Sequence, residues 1–238
     1  MNIPSVKGTI ARRILVNFRA DADVVAAGLP FPFRPKLQRD FAVVGICLIR
    51  LEKIRPVFSP LCCGIASENA AHRVAVEWDE DGQTREGVFI PRRDTDSRLN
   101  HWSGGRVFPG EHHLARFEVR ETATEFAVEM RSCDGSTGAS VVGTIATALP
   151  PSSIFASLEE ASAFFERGCL GYSARCGENK LDGLLLQTPA WKVEALEVSS
   201  VSSSVFDDEK KFPSGTIAFD HALLMRDIEH QWHAAKAL

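Results

Sequence analysis

The chain has 238 residues, enough for one large β-rich domain or two small ones, and its 45% hydrophobic, 24% charged composition is that of an ordinary globular protein. A formal net charge of −4 gives no global pull toward nucleic acid or anionic membrane, so neither is expected as a partner. No window approaches the ~20 apolar residues of a membrane-spanning helix, and Lys7, Arg12 and Arg13 interrupt any secretion signal.

The six cysteines include no C-x-x-C pair, and Cys62 and Cys63 are adjacent, awkward both as a bridge and as a chelate. Reduced thiols in a cytoplasmic protein are the expectation.

In chain order, strand patterns dominate. Arg12–Phe18 is a short apolar strand, and Asp21-Ala-Asp23 caps a brief helix ending near Gly28-Leu29-Pro30. Phe41–Ile54 is β-branched and weakly alternating, which suits a strand buried on both faces. In His72–Trp78, Val74, Val76 and Trp78 share one face while Arg73, Ala75 and Glu77 share the other. Asp81-Gly82 marks a turn, so Thr84–Ile90 returns as the second arm of a hairpin.

Alternation recurs in His113–Val119, in Glu125–Arg131 and, after the Asp134-Gly135 turn, in Ser140–Thr147. Ser157-Leu-Glu-Glu160 is a capping box for a helix running to Arg167 and stopped by Gly168. Strands follow at Leu170–Cys176, Gly183–Thr188 and Trp191–Val201. The tail, Thr216–Leu238, reads as a strand that turns helical, with Ile228, Trp232 and Ala235 on one helical face. This pattern predicts a mainly β (α+β) fold in a single domain spanning 1–238, built as a closed β-barrel with a few peripheral helices.

Four segments in order resemble the acetoacetate decarboxylase superfamily, in particular a bacterial branch that lacks the Schiff-base lysine. They are Asn17-Phe-Arg-Ala-Asp-Ala-Asp23 with Leu29-Pro30, Gly64-Ile-Ala-Ser-Glu68, Gly104-Gly-Arg-Val-Phe-Pro109, and Phe219-Asp-His-Ala-Leu-Leu224. The resemblance implies a cone-shaped barrel with a polar interior pocket, an active-site glutamate at Glu68, and a turn at Gly104–Arg106 where the family carries its reactive lysine. In the decarboxylases that lysine forms an imine with a β-keto acid, and a second lysine lowers its pKa. Here no lysine occurs between Lys53 and Lys180, and arginine stays protonated and is no carbonyl nucleophile. Lysine-imine decarboxylation is therefore not expected.

Glu68 is then the candidate acid/base, with small neighbours Ala66, Ala70 and Ala71 leaving space around its carboxylate. Arg106 is the candidate clamp for a carboxylate or phosphate, and His72 and Arg98 are further ligand-binding candidates. Arg92-Arg93-Asp94 reads as a solvated charged turn. His112 and His113, adjacent in a strand, point to opposite faces, and no H-E-x-x-H or Cys/His array is present. Neither metal nor cofactor is expected.

The sequence thus predicts an interior pocket for a small acidic or carbonyl-containing molecule, serving a non-Schiff-base lyase or hydrolase; the alternative is a non-catalytic binding or sensor protein. A homo-oligomer is compatible with either.

Overall fold

Alternation along long strands builds the molecule almost entirely, as a computed structural model describing residues 5–59, 64–175, 177–178 and 180–238 shows. The strands are β1 (Val6–Ala20), β2 (Arg34–Pro35), β3 (Leu37–Gln38), β4 (Phe41–Pro56), β5 (Ile65–Glu80), β6 (Gln83–Thr95), β7 (His112–Glu121), β8 (Glu125–Ser132), β9 (Gly138–Ala146), β10 (Leu170–Ala174), β11 (Leu181–Gln187), β12 (Glu194–Ser203) and β13 (Ile217–Ala235). The helices among the described residues are short: α1 (Ala22–Ala26), α2 (Arg98–Ser103) and α3 (Leu158–Glu166).

The mainly β architecture is as expected, and its closure takes the form of two rings. β13, β1, β4, β5 and β6 pair in sequence as antiparallel neighbours. From β6 the sheet returns to β13 by two routes. A short route runs through β10 and β11, whose Leu186 pairs with Trp232. A long route runs through β7, β8, β9 and β12. The five shared strands form a wall with a ring on each side.

Period-two alternation sorts the wall's residues between the rings. Ile14, Val16, Phe18, Val44, Ile46, Leu48 and Leu224 join Val128, Met130 and Leu196 in the core of the larger ring. Their sequence neighbours Leu15, Val43, Cys47, Leu223 and Met225 face the smaller ring, where Phe155 and α3's Phe164 and Phe165 pack against them. This is why Phe41–Ile54 lacks a polar face: both of its faces are interior.

Local signals act as expected. Asp81 and Gly82 take φ of 53° and 76° between the paired Glu80 and Gln83, the double left-handed geometry of a two-residue hairpin. Ser157 Oγ accepts the Glu160 amide as α3's N-cap. The tail differs from expectation, since β13 runs as strand to Ala235. Ile228 and Trp232 are four apart, a spacing that keeps one face in a strand as well as in a helix. Strand wins because both edges of this segment are paired, to β1 at Val6 and to β11 at Leu186.

Candidate functional site

The smaller ring encloses a cavity of about 170 Å³, lined by residues from all seven of its strands. The wall is mostly apolar, with Ile49, Ile90, Leu184, Leu186 and Trp232 among its members. Against that background stand Arg13 from β1, Arg73 from β5 and Arg93 from β6.

Register explains why they meet. Cys47 of β4 pairs with Leu15 of β1 and with Ala71 of β5, and Ala71 pairs with Arg93 of β6. Arg13 and Arg73 lie two residues from Leu15 and Ala71, so their side chains project to the same face as Cys47. Arg73 Nε donates to Cys47 Sγ at 3.1 Å and Arg13 Nη2 at 3.7 Å. Arg93 Nη2 donates to Ser173 Oγ at 3.3 Å.

None of these three guanidiniums has a carboxylate partner among the described residues. Asp94 also reaches the wall, but Arg92 holds its carboxylate at 2.8 Å. The Nε atoms of Arg13 and Arg93 are buried without a hydrogen-bond partner among the described residues. Burial lowers the Arg73 pKa and brings that of Arg93 down to about 10; a guanidinium keeps its proton in proteins, and both are cations at neutral pH.

Arg73, only 3% exposed, is aimed by a buried relay. It donates to Asn17 Oδ1, while Asn17 Nδ2 lies 3.0 Å from His221 Nε2 and His221 Nδ1 lies 2.6 Å from Asp220 Oδ2. Burial lowers the His221 pKa against the pull of Asp220. The neutral ring then donates from Nδ1 to Asp220 and accepts at Nε2 from Asn17, which fixes the Asn17 amide with its oxygen toward Arg73. Ser153 Oγ, the Ile154 amide and Arg19 Nη1 also donate to Asp220, at 2.7, 3.0 and 3.2 Å. Phe165 stacks under the Arg73 guanidinium, 4.7 Å from ring centre to Cζ.

α2, its following turn and the first residue of β7 add Asn100, Ser103, Phe108 and His112 to the lining. Thr95 Oγ1 donates to Asn69 Oδ1 at 2.8 Å and Asn100 Nδ2 to Ser67 Oγ at 3.1 Å, tying α2 to β5 and β6. At Gly104 an added Cβ would sit 2.2 Å from His112 Nδ1, so glycine there lets the histidine reach the wall. Burial brings the His112 pKa down to about 3, and it is neutral.

The residues singled out in sequence do not gather around this cavity. Glu68 is on β5 but on the face opposite Asn69 and Arg73, in an open groove of the larger ring with Arg50, Phe117 and Glu121. Its carboxylate meets Arg12 at 2.5 Å and Arg50 at 3.7 Å, and Arg12 also meets Glu121 at 2.9 Å. Burial pushes the Glu68 carboxyl up against the attraction of Arg12. His72 shares the face of Glu68, 2% exposed beside Phe206, with neither ring nitrogen partnered among the described residues. Arg98 and Arg106 are exposed on and just after α2, and Arg106 donates to Trp102 O at 2.7 Å. Glu68 and Arg106 thus do not meet in one cavity: strand alternation sends Glu68 into the other ring, and Arg106 lies on the surface.

Arg92-Arg93 is likewise no solvated turn but part of β6, with one arginine on each face. The Arg12-Arg13 pair divides in the same way, and an Arg-Arg dipeptide inside a strand was the available signal. Lysine is absent from the cavity lining, and Lys53 and Lys180 are both exposed. Among the described residues no group of three or more His, Cys, Asp or Glu could hold a metal, and no helix is long and apolar enough to cross a membrane.

No family model matches the chain, and no curated protein matches it. Solved structures do. An acetoacetate decarboxylase from Legionella pneumophila superposes with a TM-score of 0.67 at 12% identity, covering 100% of this chain and 88% of that one. An acetoacetate decarboxylase-like enzyme from Sphingomonas wittichii RW1 gives 0.63 at 11%, covering 100% and 93%. The enduracididine biosynthesis enzyme MppR, complexed with pyruvate, gives 0.58 at 11%, covering 100% and 91%. The chain has an acetoacetate-decarboxylase-like fold.

Proposed function

We propose that this fold binds a small organic acid in the cavity of the smaller ring, with Arg13, Arg73 and Arg93 receiving its carboxylate and the aliphatic wall its apolar body. The observation that carries the reading is three guanidiniums on one cavity, none of them paired to a carboxylate among the described residues, the Asp94 carboxylate on the same wall being held by Arg92. A desolvated cation costs free energy unless a counter-charge is supplied, and guanidinium takes carboxylate through two parallel hydrogen bonds. An apolar cavity of about 150 Å³ admits benzene, so the ligand has on the order of six to nine non-hydrogen atoms. The pyruvate bound by MppR and the substrate for which the decarboxylases are named are acids in this range.

Chemistry on the acid proceeds without a lysine imine in this reading, since neither Lys53 nor Lys180 lines the cavity. The anion clamp expected of Arg106 passes to the cavity arginines, and the acid/base role expected of Glu68 has no place at this ligand. The free thiols Cys47, Cys133 and Cys169 accord with a cytoplasmic location.

The test is calorimetric titration with pyruvate, acetoacetate and benzoate against the corresponding amides. The carboxylates bind at least tenfold more tightly, the worth of about one charge-assisted hydrogen bond. Equal affinity for acid and amide, or binding of neither, refutes the reading. Following the same mixtures by NMR separates a lyase or hydrolase, which produces new resonances, from a binding or sensor protein, which does not.

A further inference from the structure

We propose that Cys47 is the nucleophile of this cavity, attacking an electrophilic carbon in a ligand whose carboxylate the neighbouring arginines hold. The inference rests on the anion reading above and adds a reacting group to it.

An ordinary buried cysteine packs as a small apolar residue with its proton retained. Cys47 is 2% exposed yet does not sit among apolar atoms alone. Two guanidiniums from different strands donate to its sulfur, Arg73 Nε at 3.1 Å and Arg13 Nη2 at 3.7 Å. A sulfur that accepts from two cations has the environment of a thiolate, the form that acts as nucleophile. Burial by itself pushes this thiol up, but Arg73 and Arg13 together outweigh it and hold the group below the ordinary thiol value.

Cys169 gives an internal contrast, since it lines the same cavity. Its sulfur donates to Glu166 O at 2.7 Å, and burial raises its pKa. One cavity therefore holds a thiol that donates and a sulfur that accepts. The small side chain of Ala71 stands opposite Cys47 on β5 and leaves the row open toward Arg93. Neither Arg13 Nε nor Arg93 Nε has a hydrogen-bond partner among the described residues.

The step balances without a further reactant. On the carbonyl carbon of an oxo acid, the sulfur lone pair forms an S–C bond and the C=O π pair moves to oxygen, giving an oxyanion opposite the Arg93 charge. On iodoacetate, the same lone pair forms the S–C bond to the methylene carbon, and the C–I bond breaks with iodide leaving as the anion.

Iodoacetate and its neutral amide, iodoacetamide, therefore test the proposal on the folded full-length protein, with the labelled residue located by peptide mass mapping. Iodoacetate modifies Cys47 about tenfold or more faster than iodoacetamide, the worth of one charge-assisted hydrogen bond to the reagent's carboxylate. Exposed Cys133 shows no such preference for the acid, saturating benzoate slows the reaction at Cys47, and Cys47→Ser abolishes the fast phase. Two results overturn the proposal and are distinguishable. Failure of both reagents to label Cys47 in the folded protein, with both labelling the unfolded chain, removes the thiolate. Faster labelling by iodoacetamide than by iodoacetate removes the anion reading beneath it.

Discussion

Replacing Arg73 by methionine should leave the unliganded protein as stable as before or slightly more so, whereas replacing Arg12 by methionine should cost about 3–5 kcal/mol. The two side chains are almost equally buried, at 3% and 2% exposure, and lie on opposite faces of the same wall. They differ in what surrounds them. Arg12 meets Glu68 at 2.5 Å and Glu121 at 2.9 Å, and its loss strands the Glu68 carboxylate with only Arg50, at 3.7 Å.

Arg73 has no carboxylate among the described residues. Removing it costs the hydrogen bonds to Asn17 and to Cys47, together about 2–4 kcal/mol, and the stacking on Phe165, about 2 kcal/mol when desolvated, while burial returns Cys47 to the protonated thiol. Removing its charge also removes a desolvation penalty of several kcal/mol, and methionine retains packing on the ring. These terms nearly cancel. For a chain of this length each kcal/mol moves the melting temperature by about 2–4 °C, so Arg12→Met falls by roughly 6–20 °C while Arg73→Met stays within about 5 °C of the parent. Differential scanning calorimetry without ligand reads both. In the same samples Arg73→Met loses the stabilisation by benzoate, about 2.7 kcal/mol at a hundredfold excess over Kd. If Arg73→Met is destabilised as much as Arg12→Met, the cavity charge is compensated after all and the argument for an anionic ligand fails.

Glu68→Gln keeps the side chain's shape and leaves Arg12 with Glu121, so stability measured by urea unfolding drops by about 1–3 kcal/mol while benzoate affinity is unchanged; a tenfold weaker affinity would return Glu68 to the ligand site. His72 titrates near 6.5 when unfolded and about 4 when folded because burial disfavours the charged ring. The unfolded chain takes up the proton first, so this contribution is present above pH 6.5 and is lost as pH falls toward 4. Relative to the parent, His72→Phe gains about 2 kcal/mol at pH 5 over its difference at pH 7, and a pH-independent difference would refute the buried neutral ring. Borohydride reduction in the presence of acetoacetate leaves no stoichiometric covalent adduct by intact mass, and an adduct on Lys53 or Lys180 would restore imine chemistry.

Local structure was readable wherever one short-range rule decided it. Asp81-Gly82 specified its hairpin, Ser157 and Glu160 specified the start of α3, and two-residue alternation located most strands. The ring contents were not readable in the same way. In His72–Trp78 the alternation separates Arg73 from Val74, and a polar face next to an apolar one suggests solvent beside core. Here both faces are interior, and only the return paths through β7 and β10 make them so. Arg13, Arg73 and Arg93 are far apart in sequence and converge through pairing register, which no local pattern reports. Glu68 stood out through the resemblance of its segment and its small neighbours, of which Ala70 and Ala71 lie in the wall between the two rings while Ala66 is exposed.

That common wall has a consequence for folding fidelity. Its strands carry cargo on both sides, so a slip of one residue does not merely expose oil to water. It would drive Arg13 and Arg73 into the aliphatic interior now filled by Ile14 and Val74, and bring those residues into the cavity. Each misplaced guanidinium would lose its sulfur and amide partners in a medium that offers no replacement. The cations that prepare the protein for a ligand also act as a lock on strand alignment, penalising the misregistered alternatives far more than an all-aliphatic wall would. Evolution toward a neutral cavity would therefore loosen the specification of the sheet even where it made the native state more stable.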